Sequence, residues 1–449
     1  MNQSTFILSP EKAYDAEQRY RVVKRSIDAR QRALKVNLTV LTDEFGRPLP
    51  KDAPIPLYTA PHFKDVHNAK HSVAIIGAGP AGLFAALTLL EQGIKPIIFE
   101  RGKEVSERKK DIATLNRNQG LNTESNYCFG EGGAGTFSDG KLYSRSKKRG
   151  NMQRVMELFH HFGASDTVLY EAHAHIGSDK LPSIIRAMRE CIIQHGGEVR
   201  FNSCVDAVLL RELMRDKKSL LGTILAIGHS AHDTYQMLLD EGVLLENKGF
   251  AMGVRAEHPQ TLINRLMYHD PSEELIRLIG NASYSLVTQV QGRGVYSFCM
   301  CPGGFIVPAM TDEGESVVNG MSPSHRNSPY ANSGFVTEIR EEDFAHLSEQ
   351  YGALAGLVFQ QQLEQAARAQ APEHQTAPAQ RVADFVAGRK SASLPKSSYV
   401  PGIVESRLDE WLPQFMATRL REAISIFDKR MRGYLTNEAV VVGVESRTS

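Results

Sequence analysis

The sequence predicts an α/β protein with more than one domain, and three observations lead to this prediction. The chain has 449 residues, a length at which roughly two or three domains are expected. Residues 72–99 contain an apolar strand, a glycine-rich turn, a helix and a second apolar strand, which is the order of a βαβ unit. From about Phe250 onward, apolar runs punctuated by glycine predict a β-rich region.

Composition and charge limit the classes of function. Hydrophobic residues make up 42% of the chain and charged residues 23%, as in ordinary globular proteins. The formal net charge of +1 argues against a nucleic-acid partner, because such proteins usually present a strongly basic face. The N-terminus lacks a signal-peptide pattern, and the uncharged residues 72–90 contain glycines and a proline that would break a spanning helix. We expect a cytoplasmic protein without a membrane partner, and the sequence leaves the oligomeric state open.

The N-terminal residues predict a small α/β module over 1–65. Residues 11–34 are rich in charge and in good helix formers, so we expect a helix there. The next segment predicts a strand, because Val36, Leu38 and Val40 alternate with polar residues. Prolines between residues 48 and 61 then mark a linker.

The following elements are assigned from periodicity and turn residues. Within the βαβ unit we expect a strand at 73–76, a helix at 81–92 closed by Gly93, and a strand at 97–99. Further along the chain, the expected elements are a helix at 181–194, a strand at 198–210, a buried strand at 223–228 and a helix at 355–370.

The turn of the βαβ unit carries a G-x-G-x-x-G motif in the context that dinucleotide binding requires. Gly77 permits a tight turn, Gly79 lets the backbone approach a pyrophosphate, and Gly82 lets the helix pack closely on the sheet. Glu100 ends the second strand, where a carboxylate accepts a hydrogen bond from a ribose 2′-hydroxyl and disfavours a 2′-phosphate. The motif GAGPAGL at residues 77–83, followed by FERG at residues 99–102, favours FAD over NAD. The alternative is a glycine-rich turn in another kind of α/β protein.

A second glycine cluster occupies residues 130–141. Four glycines within six residues indicate a backbone that passes close to another group or adopts positive φ. In a flavoprotein that group is the region between the pyrophosphate and the ring, and Thr136, Ser138 and Lys141 are candidate donors to it. The alternative is a flexible surface loop. The predicted cofactor contacts are therefore Gly77, Gly79, Pro80, Ala81, Gly82, Glu100, Arg101, Gly133, Gly135, Thr136, Ser138, Lys141 and Gly228.

Histidines and cysteines supply the remaining reactive side chains. His229 and His232 are acid–base candidates because imidazole titrates near neutrality, although loop histidines are more often structural. Cys299 and Cys301 would face the same side of a strand, which allows either a flavin-coupled disulfide or two buried structural thiols. The five cysteines lack metal-ligand spacing, which favours a reducing compartment and predicts no metal site.

Long segments of the chain resemble a bacterial FAD-dependent dehydrogenase family that carries the label NAD(FAD)-utilising dehydrogenase. The resemblance covers nearly the whole chain and includes VAIIGAGPAGLFAAL, NYCFGEGGAGTFSDGKLYSR, LAIGHSAHDTYQML and YSFCMCPGGFIVPA. It implies a Rossmann-type FAD-binding domain at 70–245, interrupted by a β-rich substrate domain at 246–400. The segment 401–449 would then return in part to the FAD domain. The family supplies no established substrate.

The sequence departs from the family pattern in two places. Only about a dozen residues separate the strands at 198–210 and 223–228, where related flavoproteins place a β-meander. Similar proteins also continue beyond VVVGVESRTS with a glycine-rich turn that contacts the flavin, and we expect that turn to be missing.

These observations predict an FAD-dependent oxidoreductase acting on an unidentified small molecule, with no catalytic residue assigned. NAD(P)H is a possible electron donor, although the sequence has no second G-x-G-x-x-G motif to bind it. The alternative is a degenerate, non-catalytic protein that binds FAD, another nucleotide or a partner chain. An RNA-modifying flavoenzyme is a third interpretation, which the near-neutral charge disfavours.

Overall fold

The computed structural model describes residues 2–142, 150–216 and 218–447. Within these ranges the strands form sheets of three, seven, two and four strands, and helices cover the larger sheets. This arrangement confirms the predicted α/β class. None of the helices in the described ranges has the length and apolar character needed to cross a membrane.

The N-terminal module is a three-stranded antiparallel sheet with one helix. Its strands lie in the order β1-β3-β2. The predicted alternation on β3 is confirmed, since Val36, Leu38 and Val40 are fully buried. The elements are β1 (Asn2–Leu8), α1 (Pro10–Arg19), β2 (Val22–Asp28) and β3 (Lys35–Thr42).

The helix predicted over residues 11–34 is wrong beyond Arg19. The backbone becomes extended at Tyr20 and then forms β2, which pairs with β3 from Val22 opposite Val40 onward. This pairing provides inter-strand hydrogen bonds and outweighs the weak helix preference of the charged residues.

A parallel four-stranded sheet carries the βαβ unit. Its order, β6-β5-β4-β7, is that of the first half of a Rossmann-type sheet. Helix α2 ends at the predicted cap Gly93, which has φ 79°. The elements are β4 (Ser72–Ile76), α2 (Pro80–Gln92), β5 (Lys95–Phe99), α3 (Val105–Asn116), α4 (Met152–His161), α5 (Leu181–Gln194), β6 (Glu198–Arg200), α6 (Ala207–Arg215), β7 (Leu220–Leu225) and α7 (His232–Asp240).

Two predicted strands of this unit differ from the structure. The strand predicted over 198–210 ends at Arg200, and Asp206 then caps α6 by accepting a hydrogen bond from the Leu209 N–H. The strand predicted at 223–228 is β7, but it is not buried. Among the described strands it pairs only with β4, so that Leu221 and Leu225 at the sheet edge are exposed.

The glycines of the motif allow close packing between backbone segments. A Cβ atom on Gly82 would lie 2.0 Å from the Gly77 carbonyl oxygen. A Cβ atom on Gly77 would lie 2.4 Å from the carbonyl oxygen of Ala226, and Gly77 has φ 106°. Both contacts are too short for any side chain, so the turn requires glycine at both positions.

The β-rich region is organised around a seven-stranded sheet with the order β15-β14-β16-β8-β13-β10-β9. Helix α11 coincides with the predicted helix at 355–370. The elements are β8 (Phe250–Pro259), α8 (Gln260–Tyr268), α9 (Glu273–Ile279), β9 (Val287–Val290), β10 (Arg293–Cys301), β11 (Phe305–Pro308), β12 (Val318–Met321), β13 (Tyr330–Ile339), α10 (Ser348–Tyr351), α11 (Ala355–Gln370), β14 (Ala377–Arg381), α12 (Val382–Ala387), β15 (Ile403–Glu405), α13 (Leu408–Trp411), α14 (Gln414–Arg430) and β16 (Val440–Glu445).

The expected partial return of the segment 401–449 to the FAD domain stays a prediction. The strands β15 and β16 of this segment belong to the seven-stranded sheet, where β16 lies between β14 and β8. The six residues of β16 are all buried, and they complete an apolar layer of this sheet. Their burial explains the placement.

Candidate cofactor site

A cavity of about 500 Å³ opens at the carboxyl ends of β4, β5 and β7. In open parallel sheets this edge is where ligands bind. The glycine motif, the second glycine cluster and the segment after β7 all contribute to its wall. The wall includes nine of the thirteen predicted contacts: Gly77, Gly79, Pro80, Ala81, Glu100, Arg101, Gly133, Gly135 and Gly228.

The N-terminus of α2 supplies the wall with backbone donors. Gly79 is the N-cap, Pro80 begins the helix, and no side chain in the described part of the protein caps this end. The first N–H groups of a helix have no partner within it, and the helix dipole places partial positive charge there. This end of the cavity is therefore suited to an anion such as a phosphate.

The two glycine segments lie against each other at this end. A Cβ atom on Gly133 would lie 3.1 Å from the Gly79 Cα atom. Gly133 also has φ 59°, within the left-handed region that favours glycine. The close approach brings two stretches of exposed backbone to one side of the cavity.

Glu100 connects three loops around the cavity. One carboxylate oxygen accepts from the Ala78 N–H at 2.8 Å. The other accepts from the N–H groups of Gly102 at 2.9 Å and Gly130 at 3.0 Å. A carboxylate has about four acceptor positions, so capacity for a ribose hydroxyl is left. The predicted ribose contact of Glu100 stays a prediction.

Arg101 reaches the wall already paired. Its guanidinium donates to both carboxylate oxygens of Glu124 at 2.8 Å and to those of Asp233 at 2.9 and 3.0 Å. It also lies over the Phe129 ring, 4.4 Å from the centroid. These partners make Arg101 a clamp between β5, the loop at 124–129 and α7.

Four predicted contacts lie elsewhere. Gly82 lies beneath the turn and serves packing. Thr136, Ser138 and Lys141 have partners within the protein in this structure, and their predicted contact with the cofactor stays a prediction. The Thr136 hydroxyl is buried and donates to the Glu131 carbonyl. The Ser138 hydroxyl donates to the Gly135 carbonyl, and the Lys141 ammonium contacts Cys299 and Cys301. A glycine-rich turn must satisfy its own carbonyls, and these side chains do part of that.

Sequence analysis missed Arg108, which supports the second glycine cluster from below. Its fully buried guanidinium donates to four carbonyl oxygens, those of Asn126, Tyr127, Gly130 and Glu131, at 2.7 to 3.2 Å. Burial lowers the pKa of Arg108 to about 10. Arg108 lies on the same face of α3 as the buried residues Val105, Ile112 and Leu115, and this helical spacing could have predicted its burial from the sequence.

The two histidine candidates lie near the cavity in buried surroundings. His229 is part of the wall, and His232 accepts or donates at Nδ1 with Gln361 at 3.2 Å. Burial, together with the nearby Arg447 guanidinium, lowers the pKa of each histidine to about 4. Both rings are therefore neutral at physiological pH, which supports the structural interpretation over an acid–base role.

Comparisons with known proteins agree with this geometry. Residues 249–448 match the family described as FAD-dependent protein, C-terminal domain-like, and residues 70–125 match an FAD binding domain. Residues 13–42 match a domain of unknown function. An uncharacterised protein of Clostridium beijerinckii is 38% identical over 448 residues, which cover 95% of this chain and 83% of that protein.

The chain belongs to a family of bacterial FAD-dependent proteins. Two solved structures are similar to this flavoprotein at 12% identity. One is CtdE in complex with FAD, with a TM-score of 0.23 over 61% of this chain and 60% of that one. The other is the halogenase PltM in complex with ethyl mercury and mercury, with a TM-score of 0.25 over 63% and 56%. Each match spans less than two thirds of the solved chain.

The cavity of the flavoprotein fits the ADP half of FAD. The backbone N–H groups of Gly79 and Ala81 could hold the pyrophosphate, whereas the Gly133 N–H already donates to the Gly130 carbonyl at 2.8 Å. Other wall residues are apolar or small and offer surface for a purine: Phe99, Val205, Leu225, Ala226 and Ile227. In the described residues, no group of three or more His, Cys, Asp or Glu side chains is placed to hold a metal ion.

Proposed function

We propose that the protein is an FAD-dependent oxidoreductase acting on a small molecule. The observation that carries the proposal is the N-terminus of α2, which opens without a side-chain cap into a cavity of about 500 Å³ beside Glu100. FAD supplies the redox chemistry when it is bound, and the protein supplies position and electrostatics.

The residues of the chain have three tasks in this proposal. The backbone at Gly79 and Ala81 binds phosphate through N–H groups, which require no side-chain ordering. Glu100 keeps the three loops in register, so that these N–H groups are oriented before the cofactor enters. Phe99 and Val205 cover the inner wall and exclude water from the adenosine end.

The first test replaces Gly79 by Asp. Gly79 has φ −70° and ψ −178°, a backbone conformation open to any residue, and a Cβ there would lie 3.9 Å from Gly133 Cα. Asp is a favourable N-cap, so the variant should fold and gain roughly a few tenths of a kcal/mol of stability. Its carboxylate takes the donors that the phosphate needs and repels the phosphate charge, so FAD affinity should fall more than about tenfold.

The matched control is Thr88→Asp on the same helix. Thr88 is exposed and far from the N-cap, so this variant adds the same charge without reaching the cavity. FAD affinity is measured by quenching of flavin fluorescence, and folding by circular dichroism. Equal affinity of Gly79→Asp and Thr88→Asp for FAD would remove the α2 site from the proposal.

The oxidoreductase activity is tested on the FAD-loaded protein under anaerobic conditions. NADH and NADPH are added separately, and bleaching of the flavin absorption bands reports reduction. Turnover with an added electron acceptor supports the enzyme. If the protein retains FAD, but neither NAD(P)H nor a panel of small reduced substrates bleaches the flavin, then the protein is instead the non-catalytic FAD-binding protein.

A further inference from the structure

Cys299 and Cys301 lie together at an irregularity of β10. The pairing between β10 and β13 shifts register between Phe298 and Cys301, and Cys299 has φ 47°. A non-glycine residue with positive φ is strained, and such strain is kept mostly where the geometry serves a function. Cys301 is fully buried, and Cys299 is partly exposed.

A lysine ammonium bridges the two sulfur atoms. The Nζ atom of Lys141 lies 3.7 Å from the Cys299 Sγ atom and 3.7 Å from the Cys301 Sγ atom. Its third partner is the carboxylate of Asp139 at 3.4 Å. Two structural thiols in an apolar layer need no cation, whereas a thiolate does, and a cation beside a cysteine favours the reactive form.

The charges that face the thiols come from four other segments. Lys141 and Arg255 of β8 favour a thiolate, and Asp139 and Glu445 of β16 oppose it. Arg326, which donates to Asp139 at 2.7 Å, takes up part of that opposing charge. Arg255 in turn is held by Glu445 at 2.7 Å.

The two thiols also differ from each other. The Cys301 thiol donates to the Cys299 backbone carbonyl oxygen at 3.2 Å, and both sulfur atoms face the Lys141 ammonium. The neighbouring Cys301 side chain and the Lys141 ammonium hold the pKa of Cys299 well below its usual range, whereas the neighbouring Cys299 thiolate and burial raise the pKa of Cys301. A thiolate beside a protonated thiol is the arrangement of an attacking and a resolving cysteine.

We propose that Cys299 and Cys301 form a redox-active dithiol that reduces a small-molecule disulfide, with Cys299 attacking and Cys301 resolving. This inference concerns residues outside the cofactor cavity and does not rest on the proposed function.

The reaction has two exchange steps. The Cys299 thiolate attacks one sulfur of R–S–S–R, which breaks that bond, forms a mixed disulfide on Cys299 and releases RS⁻. Cys301 gives its proton to this RS⁻ and attacks the Cys299 sulfur, which closes the Cys299–Cys301 disulfide and releases a second RS⁻ that takes a proton from solvent. The dithiol loses two electrons, and both leave on two molecules of RSH.

The test uses oxidised glutathione as the probe on the full-length protein, reduced and desalted beforehand. Peptide mapping of wild type should show a Cys299–Cys301 disulfide, with the loss of two hydrogens and no glutathione on either cysteine; an adduct on the exposed Cys204 does not bear on the proposal. Cys301→Ser should accumulate a glutathione adduct at Cys299, and Cys299→Ser should form none at Cys301. Absence of the adduct in folded Cys301→Ser overturns the proposal, as does an adduct at Cys301 in Cys299→Ser.

A pH profile on wild type needs no variant and keeps the proposal falsifiable. Alkylation by iodoacetamide is followed at Cys299 and, as the internal control, at the exposed Cys204. The rate at Cys299 should be nearly constant from pH 7 to 9, while the rate at Cys204 rises about tenfold or more with thiolate formation. Parallel profiles for the two cysteines contradict the assignment. Lys141→Met should restore a rising profile at Cys299.

Discussion

The Arg326 guanidinium donates to the Asp139 carboxylate at 2.7 Å, and this ion pair joins the β-rich region to the second glycine cluster. Asp139 is 1% exposed and also faces the Lys141 ammonium. The two cations hold the pKa of Asp139 below its usual range against the opposing effect of burial. This ion pair therefore fixes the position of the segment that carries Asp139 and Lys141, which lies between the cofactor cavity and the two cysteines.

Asp139→Asn should destabilise the protein by about 2–4 kcal/mol, because it removes the buried carboxylate that pairs with the partly buried Arg326 and Lys141. The measurement is urea unfolding at pH 7. As a control, Glu338→Gln breaks an exposed pair with Arg340 and should change stability by less than about 1 kcal/mol. Equal effects of the two substitutions would show that the Asp139 pair contributes no more than a surface pair.

The same substitution has a defined pH dependence. The folded pKa of Asp139 lies below the unfolded value, so its contribution is fully present above the unfolded pKa and is lost as pH falls through the folded pKa. The stability difference between wild type and Asp139→Asn should therefore be constant near neutrality and shrink below about pH 4. A difference that grows on acidification contradicts this sign.

Arg108→Met should weaken FAD binding without touching the cavity wall. Its guanidinium satisfies four carbonyls of the loop at 126–131, and Met leaves those carbonyls buried without donors. Each such loss costs about 1–3 kcal/mol before relaxation, so the loop should become mobile or rearrange.

Arg108→Lys is the informative companion variant. Lysine keeps the charge but has no planar fork of donors, so it cannot reach the separated carbonyls together. We expect it to resemble Met in FAD titrations monitored by fluorescence. Full retention of FAD affinity by Lys would mean that charge alone, and not the donor geometry, supports the loop.

Much of the fold and of the cofactor site was predictable from local sequence. The strand–turn–helix at Gly77 is specified by neighbours in the chain, and so the motif, the helix and its Gly93 cap were found. Beyond such local patterns, prediction failed where partners distant in sequence decide. The pairing of β2 with β3 replaced a helix, and the edge position of β7 exposed a strand expected to be buried.

The contacts that the side chains of the second glycine cluster make within the protein could not be predicted from the sequence. Thr136, Ser138 and Lys141 have the donors that a phosphate needs, but a donor's direction depends on the fold. Here the Lys141 ammonium contacts two thiols about 160 residues further along the chain, and no local sequence pattern predicts such a contact. Arg108 was not predicted to matter, because a charged side chain on a helix is usually exposed to solvent, whereas this one is fully buried.

Glu100→Gln tests whether the Glu100 carboxylate organises the three loops around the cavity for FAD binding. The glutamine amide keeps one oxygen, so at least one of the N–H groups of Ala78, Gly102 and Gly130 loses its acceptor and faces an NH₂ group instead. We expect FAD affinity to fall about tenfold or more. The control Glu107→Gln removes an exposed carboxylate paired with Lys110 and should leave FAD affinity unchanged. Unchanged affinity in Glu100→Gln would show that the three loops are held without this carboxylate.

His258 should make the protein less stable as pH falls from about 6.5 to 4. It is 1% exposed and packs on Tyr434, and burial lowers its pKa to about 4. Below pH 6.5 the unfolded chain binds a proton that the folded state does not bind, so stability falls on acidification through this window, by on the order of 3 kcal/mol at most.

His258→Gln should reduce the slope of unfolding free energy against pH in this window, whatever it does to stability at pH 7. An unchanged slope in His258→Gln would place the acid sensitivity elsewhere, with His229 and His232 as the next groups to substitute, since burial and Arg447 lower their pKa in the same direction.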